Sequence, residues 1–243
     1  MPDKNIGFSR TVYLDWLDAA AALRLKSDDP RVIRQQLDPV LAAHLHGKDA
    51  RRKTIDVLLG FWDKSAAVSP PLHAAALRLY RGAYTSADHL WLHYGLGLLY
   101  YPIFRYVTAT IGHLGRLNDA LTRKQIKAQV AAEWGHLGAL DRSVERICAS
   151  LTEWGLFPPF NDSSRKEYRP VQRTLRAGTP ELETWLLACA LHAHPAESLP
   201  FSDLLRLPET FPFAFSVTGT HLARSDWFTR HREGGWEMIS LAI

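Results

Sequence analysis

TRKQIKAQVAAEWG (122–135), HLGAL (136–140), DRSVERICASLTEWGLF (141–157) and PPFNDSSRKEYRPVQRTLR (158–176) follow one another in the middle of the chain. Their order decides the fold. Thr122 and Gln125 form a T-x-x-Q capping box, in which hydroxyl and amide satisfy the orphan N–H groups of a helix start. Ile126, Val130 and Trp134 then recur on one helical face. Gly135 and Gly138 loosen a turn, and Asp141 is expected to cap a second helix. The buried face of that helix is expected to be Val144, Ile147, Cys148 and Leu151. The opposite face offers Arg142, Ser143, Arg146 and Ser150, while Glu145 and Glu153 reduce its positive charge. After Gly155 the chain turns extended and basic. Asn161-Asp162-Ser163-Ser164 reads as a hairpin turn, and Arg165, Lys166, Arg169, Arg173 and Arg176 stand against Glu167 alone. Helix, turn, helix and basic hairpin is the order of parts in a winged helix-turn-helix. The expected nucleic-acid-binding residues are Arg142, Ser143 and Arg146 on the second helix, with Arg165, Lys166, Arg169 and Arg173 on the wing.

Working outward, the first 118 residues read as an α-helical bundle. Val12, Trp16, Ala20 and Leu23 share one face, as do Ile33, Leu37, Val40, Leu41 and Leu45 within Val32–His46. Gly47 occupies the position of a helix C′ glycine. A helix from about Asp49 carries Ile55, Leu58, Leu59 and Trp62, and Ser69-Pro70-Pro71 breaks it before a new helix over Leu72–Tyr80. Ser86 or Asp88 is expected to cap the aromatic helix that follows, and Pro102 to open another reaching Leu117. On the C-terminal side, Pro180–His194 is expected to be helical, with Leu182, Trp185, Leu186 and Cys189 on one side. Phe213–Val217 alternates like a strand, and Trp227–Arg232 is expected to pair with Trp236–Leu241 across Gly234-Gly235. The class is therefore mainly α: a helical bundle (1–118), a central winged helix-turn-helix (119–178) and a small α/β tail (179–243).

Length and composition set the outer limits. A chain of 243 residues buries a substantial core, and 47% hydrophobic with 22% charged residues is ordinary for a globular protein. The net charge of +4 is unevenly spread, with residues 177–243 holding 4 Lys and Arg against 8 Asp and Glu while the remainder is basic. A basic region suits a polyanion. A second basic cluster, Lys48, Arg51, Arg52 and Lys53, either extends that footprint or is a solvated helix start. Cys148 and Cys189 both fall on apolar stripes and are expected to be buried, reduced thiols. MPDKNIGFSR lacks the apolar run of a signal peptide, and His93, two glycines, Pro102 and Arg105 interrupt the apolar run Leu90–Val107. The expected location is cytoplasmic, without a membrane partner.

Motifs for chemistry are missing. The chain contains no G-x-x-x-x-G-K-[ST], no G-x-S-x-G and no C-x-x-C. His89 and His93 share the i, i+4 spacing of a helical metal pair, but no Glu follows His89 as in a zincin. Asp15 and Asp18 share a helix face and read as a solvated surface pair. His231, between Arg230 and Arg232, reads as part of a basic strand, and the tryptophans mostly as core. The expectation is a non-enzymatic protein with no catalytic residues, metal, cofactor or small-molecule substrate.

Three segments carry a resemblance: an F-x-x-x-x-x-x-I-G helix (Phe104–Gly112), T-x-x-x-I (Thr122–Ile126) and L-x-x-W-G-L (Leu151–Leu156). Their order is similar to the BrxA-like proteins of BREX phage-exclusion systems, small DNA-binding accessory proteins in which a helical bundle joins a winged-helix-like part. The resemblance covers mainly residues 85–157, and Phe211–Ile243 has no counterpart in it. It implies a double-stranded DNA partner and an accessory role beside other phage-defence proteins. The alternatives are a protein–protein adaptor of a defence complex, using the same helix-turn-helix, or a transcriptional regulator of its own operon.

Overall fold

Pro30, Pro70, Pro102 and Pro180 each sit in the first turn of a helix, where the missing N–H costs nothing and the fixed φ is already helical. In the computed structural model, which describes residues 7–82, 85–135, 138–161 and 164–242, these prolines open α2 (Pro30–Ala42), α5 (Pro70–Arg81), α7 (Pro102–Gly115) and α10 (Pro180–Ala193). Around them run α1 (Leu14–Arg24), α3 (Lys48–Leu59), α4 (Ser65–Val68) and α6 (Ser86–Tyr100). Between α3 and α4 the chain makes a π-helical turn, Gly60–Lys64, that carries Phe61 and Trp62 into the core. The protein is mainly helical, with small antiparallel sheets toward its C-terminal side.

The aromatic run broken at Tyr101-Pro102 divides into α6 and α7 as its sequence requires. Thr85, rather than Ser86 or Asp88, is the N-cap of α6. The Asp88 carboxylate accepts from the Thr85 backbone N–H at 3.2 Å and from its hydroxyl at 3.1 Å. Gly47 likewise does not end a helix. α2 stops at Ala42, and Gly47, in extended conformation, is the N-cap of α3. Val40 points outward while Ile33, Leu37 and Leu41 face the core.

The middle of the chain forms β1 (Leu121–Thr122), α8 (Arg123–Trp134), α9 (Leu140–Glu153), β2 (Pro159–Asn161) and β3 (Ser164–Tyr168), with antiparallel sheet order β1-β3-β2. The Thr122–Gln125 capping box starts α8 as expected. The N-cap of α9 is Ala139, and Asp141 falls inside the first turn, where its charge still favours the helix N-terminus. Of the expected hairpin turn, Asp162 and Ser163 lie outside the described residues.

One buried aromatic group ties the chain's beginning to its middle. Phe8 lies 5.2 Å from Tyr101, and Trp154, after α9, lies 5.9 Å from Phe104 and 6.4 Å from Phe61. Two hydrogen bonds hold residues 7–13 along α9. The Val12 N–H donates to Ser150 Oγ at 3.0 Å, and Trp154 Nε1–H donates to the Val12 carbonyl at 3.1 Å. Each satisfies a group that would be costly to bury alone.

The C-terminal part packs α10 against α6 and adds β4 (Ser198–Pro200), α11 (Phe201–Leu204), α12 (Gly219–Arg224), β5 (Phe228–Glu233) and β6 (Trp236–Leu241). β5 and β6 pair from Phe228↔Leu241 to Glu233↔Trp236. Gly234 (φ 56°) and Gly235 (φ 86°) supply the two left-handed residues that a tight hairpin turn demands. β4 joins the other side of β6. Phe213–Val217 is not a strand. The buried Glu183 carboxylate on α10 accepts from the N–H groups of Ser216 at 2.6 Å and Val217 at 2.9 Å, and from the Ser216 hydroxyl at 2.7 Å. Those donors are thereby taken from any sheet. Cys148 and Cys189 are buried and free, and burial pushes the Cys148 thiol up to about 12.

Candidate nucleic-acid interface

α9 is buried more broadly than a surface helix. Leu140, Val144, Ile147, Cys148 and Leu151 are in the core, and so are Ser143 and Ser150. The expectation that these two serines face solvent is corrected. α9 packs against α7 and α8 on one side and the N-terminal segment on the other. That second contact buries Ser150. Ser143 therefore leaves the candidate interface. Arg142 and Arg146, four residues apart on the exposed face, remain.

On the same face, Glu145 is engaged by Lys127 of α8, and that ammonium lowers its carboxyl pKa. The ion pair removes one of the two carboxylates that would oppose a polyanion.

The hairpin presents Lys166 and Arg169 to solvent. The Arg169 guanidinium rests 4.6 Å above the Phe160 ring, and Arg123, from α8, covers the Tyr168 ring at the same distance. Tyr168 in turn stacks on Phe157 at 5.0 Å. These contacts fix both cations on the sheet without neutralising them. Arg165 belongs to β3, but its side chain lies outside the described residues.

Arg173 is in a different place. It adopts φ 48°, its N–H donates to the Phe211 carbonyl at 2.9 Å, and its Nη1 donates to the Leu205 carbonyl at 3.3 Å. It marks the joint between the hairpin and the C-terminal part, not the hairpin itself. Partial burial, together with Arg116 and Arg206 nearby, lowers its pKa. The other basic cluster is largely neutralised: Arg51 pairs with Asp38 at 2.8 Å, Arg52 with Asp49 at 2.7 Å and Lys53 with Asp49 at 2.6 Å. It behaves as an ordinary charged helix start. Arg230 is similarly paired with Glu237 at 3.1 Å.

The histidine pair of α6 converges on a carboxylate. His89 Nδ1 and His93 Nε2 lie 2.9 and 3.1 Å from Asp18 Oδ1, and the Tyr80 hydroxyl donates to the same oxygen at 3.0 Å. Asp18 is half-buried, not a solvated surface residue. Burial alone would raise its carboxyl, but the hydrogen bonds from His89 and His93 outweigh it and hold it well below the usual carboxylate range. Sequence reasoning missed this cluster because Asp18 and His93 are 75 residues apart and no local pattern links them. Among the described residues, no group of three or more His, Cys, Asp or Glu side chains is arranged to hold a metal. Nor, among them, is any helix long and apolar enough to cross a membrane.

Among the described side chains, the candidate interface thus reduces to Arg142, Arg146, Lys166 and Arg169. Among the described residues none of the four has a carboxylate partner within ion-pair distance. Comparison of the chain with protein families, with curated proteins and with solved structures finds no match.

Proposed function

We propose that this protein is a non-catalytic duplex-DNA-binding protein that uses residues 102–169 as a winged helix. The supporting arrangement is helix, short strand, two helices and a hairpin whose second strand lies between the first strand and its own partner. α9 takes the place of the helix that enters a major groove, and β2–β3 that of the wing along the phosphates. The observation that carries the proposal is the set of cations without a carboxylate partner among the described residues, Arg142 and Arg146 on α9 with Lys166 and Arg169 on the hairpin. Elsewhere on the surface many basic side chains are matched with carboxylates. The accessory role in phage defence comes from the resemblance of Phe104–Leu156 to the BrxA-like proteins.

Contacts to phosphates release counterions, so affinity falls with salt by about 0.9 in log–log slope per contact. Four contacts give a slope of about −3.6. Fluorescence anisotropy with an arbitrary duplex across a salt series tests this. The double reversal Lys166→Glu and Arg169→Glu is expected to remove binding while leaving the thermal melt in place. Absence of duplex binding at low ionic strength would overturn the proposal in favour of a protein–protein adaptor.

A further inference from the structure

The N-terminal segment, α1, the connection between α2 and α3, α3 and α9 line an open cavity of about 760 Å³. Arg10, Tyr13, Asp15, Trp16, His44 and Arg146 are among the residues that line it. Its size lies within the range of small-molecule sites, and its walls divide into two chemistries.

One wall is cationic. Arg10 lines the cavity, and its Nη1 donates to the adjacent Ser9 carbonyl at 3.3 Å. A guanidinium is best satisfied by a planar or tetrahedral oxyanion. Arg146 enters the same cavity from α9 without an ion pair among the described residues. The other wall is aromatic. Tyr13 and Trp16 meet edge to face at 4.6 Å, and His44 lies 6.0 Å from Trp16. Tyr13 is 39% exposed, which leaves part of its ring to cover a planar group. Asp15 is a carboxylate in the same lining. It would repel a bare phosphate brought close to it, but it accepts hydrogen bonds from a sugar hydroxyl or an exocyclic amine.

Two arginines, an aromatic wall and a carboxylate acceptor match the three parts of a nucleotide. We propose that this cavity binds a nucleotide, with its phosphate between Arg10 and Arg146, its base against Tyr13, and its sugar or amino group toward Asp15. The site does not depend on α9 contacting duplex DNA. Its occupant is either a free mononucleotide or one unit of a single strand, since both present the same groups.

Isothermal titration of the full chain with AMP, with a short oligothymidylate and with inorganic phosphate distinguishes these sources. The expected result is saturable binding of AMP or of the oligomer at about 1 mM or below, weakened about tenfold or more by Arg10→Gln and by Tyr13→Leu. AMP binding assigns a free nucleotide, and binding of the oligomer alone assigns a strand. The proposal is overturned if neither binds, if phosphate alone binds as well as the nucleotide, or if both variants bind like the parent. Should a variant lower the melting temperature, hydrogen exchange of the parent chain decides. Protection of residues 10–16 by AMP or the oligomer supports the site, and unchanged exchange there rejects it.

Discussion

The indole N–H of Trp62 donates to Nδ1 of His93 over 3.0 Å, and that bond sets the state of a fully buried imidazole. An indole nitrogen only donates, so Nδ1 must accept and the ring proton sits on Nε2, facing Asp18. His93 is therefore neutral in the fold, bridging Trp62 of the π turn and Asp18 of α1 through α6.

Burial lowers the pKa of His93, and burial likewise lowers that of His73, whose Nε2 lies 3.0 Å from the Trp62 carbonyl. Both groups then take up protons more readily when unfolded, so stability rises with pH toward the free-histidine value of about 6.5 and levels off above it. Acidification from pH 7 to pH 5 is expected to lower the melting temperature, before Asp18, held far lower by its histidine partners, gains a proton. His93→Gln, which keeps an amide donor and acceptor, should flatten that decline. A melting curve series against pH measures it.

The hairpin and the joint behind it are expected to separate in a salt titration. Lys166→Gln should reduce the magnitude of the duplex-binding slope by about 0.9. Arg173→Gly should leave the slope unchanged, because its guanidinium is directed to the Leu205 carbonyl. The same change relieves the left-handed backbone at Arg173, so the melting temperature should hold despite the lost contact.

Glu183→Ala removes a buried acceptor and strands two backbone N–H groups at Ser216 and Val217. Loss of charged hydrogen bonds at a buried site gives a destabilisation of about 3 kcal/mol or more. Hydrogen exchange should rise first at residues 211–217. Uniform exchange across the chain would show that the carboxylate does not anchor that segment.

Ser150→Ala is expected to cost about 1–2 kcal/mol, since the Val12 N–H loses its acceptor inside the core. Denaturant titration gives the value. A change below about 0.5 kcal/mol would mean that another acceptor replaces the hydroxyl.

Gly112→Ala places a methyl against the Pro208 carbonyl oxygen, because the 3₁₀ turn Pro208–Thr210 lies directly on α7. Backbone on the facing side cannot rotate away as a side chain would, so overpacking of about 1–3 kcal/mol is expected. Circular dichroism melts of the variant check this.

The helices were legible because their signals are local. The Thr122–Gln125 box, the proline starts and the stripe Val144, Ile147, Cys148, Leu151 each operate within a turn or two. Gly234-Gly235 announced its hairpin and register in the same way. What escaped the sequence depends on distant partners. Phe213–Val217 has the alternation of a strand, yet Glu183, 33 residues before Ser216, takes its donors. Ser150 looks solvated on a helical wheel until Val12 of the N-terminal segment donates to it. Asp18 looked like half of a surface pair until α6 brought two imidazoles to it. The four cations of the candidate interface were legible as charges, but only the fold separated Arg173 from the hairpin.

The clasp between Val12 and the pair Ser150 and Trp154 spans 138 and 142 residues. On a ribosome, Val12 emerges long before its partners on and after α9 exist, and its N–H and carbonyl must stay in water throughout that interval. Closure of so long a loop carries an entropic cost that local helix contacts do not. An excised piece covering residues 119–178 would lack the strap altogether, leaving one flank of its second helix wet and prone to self-association.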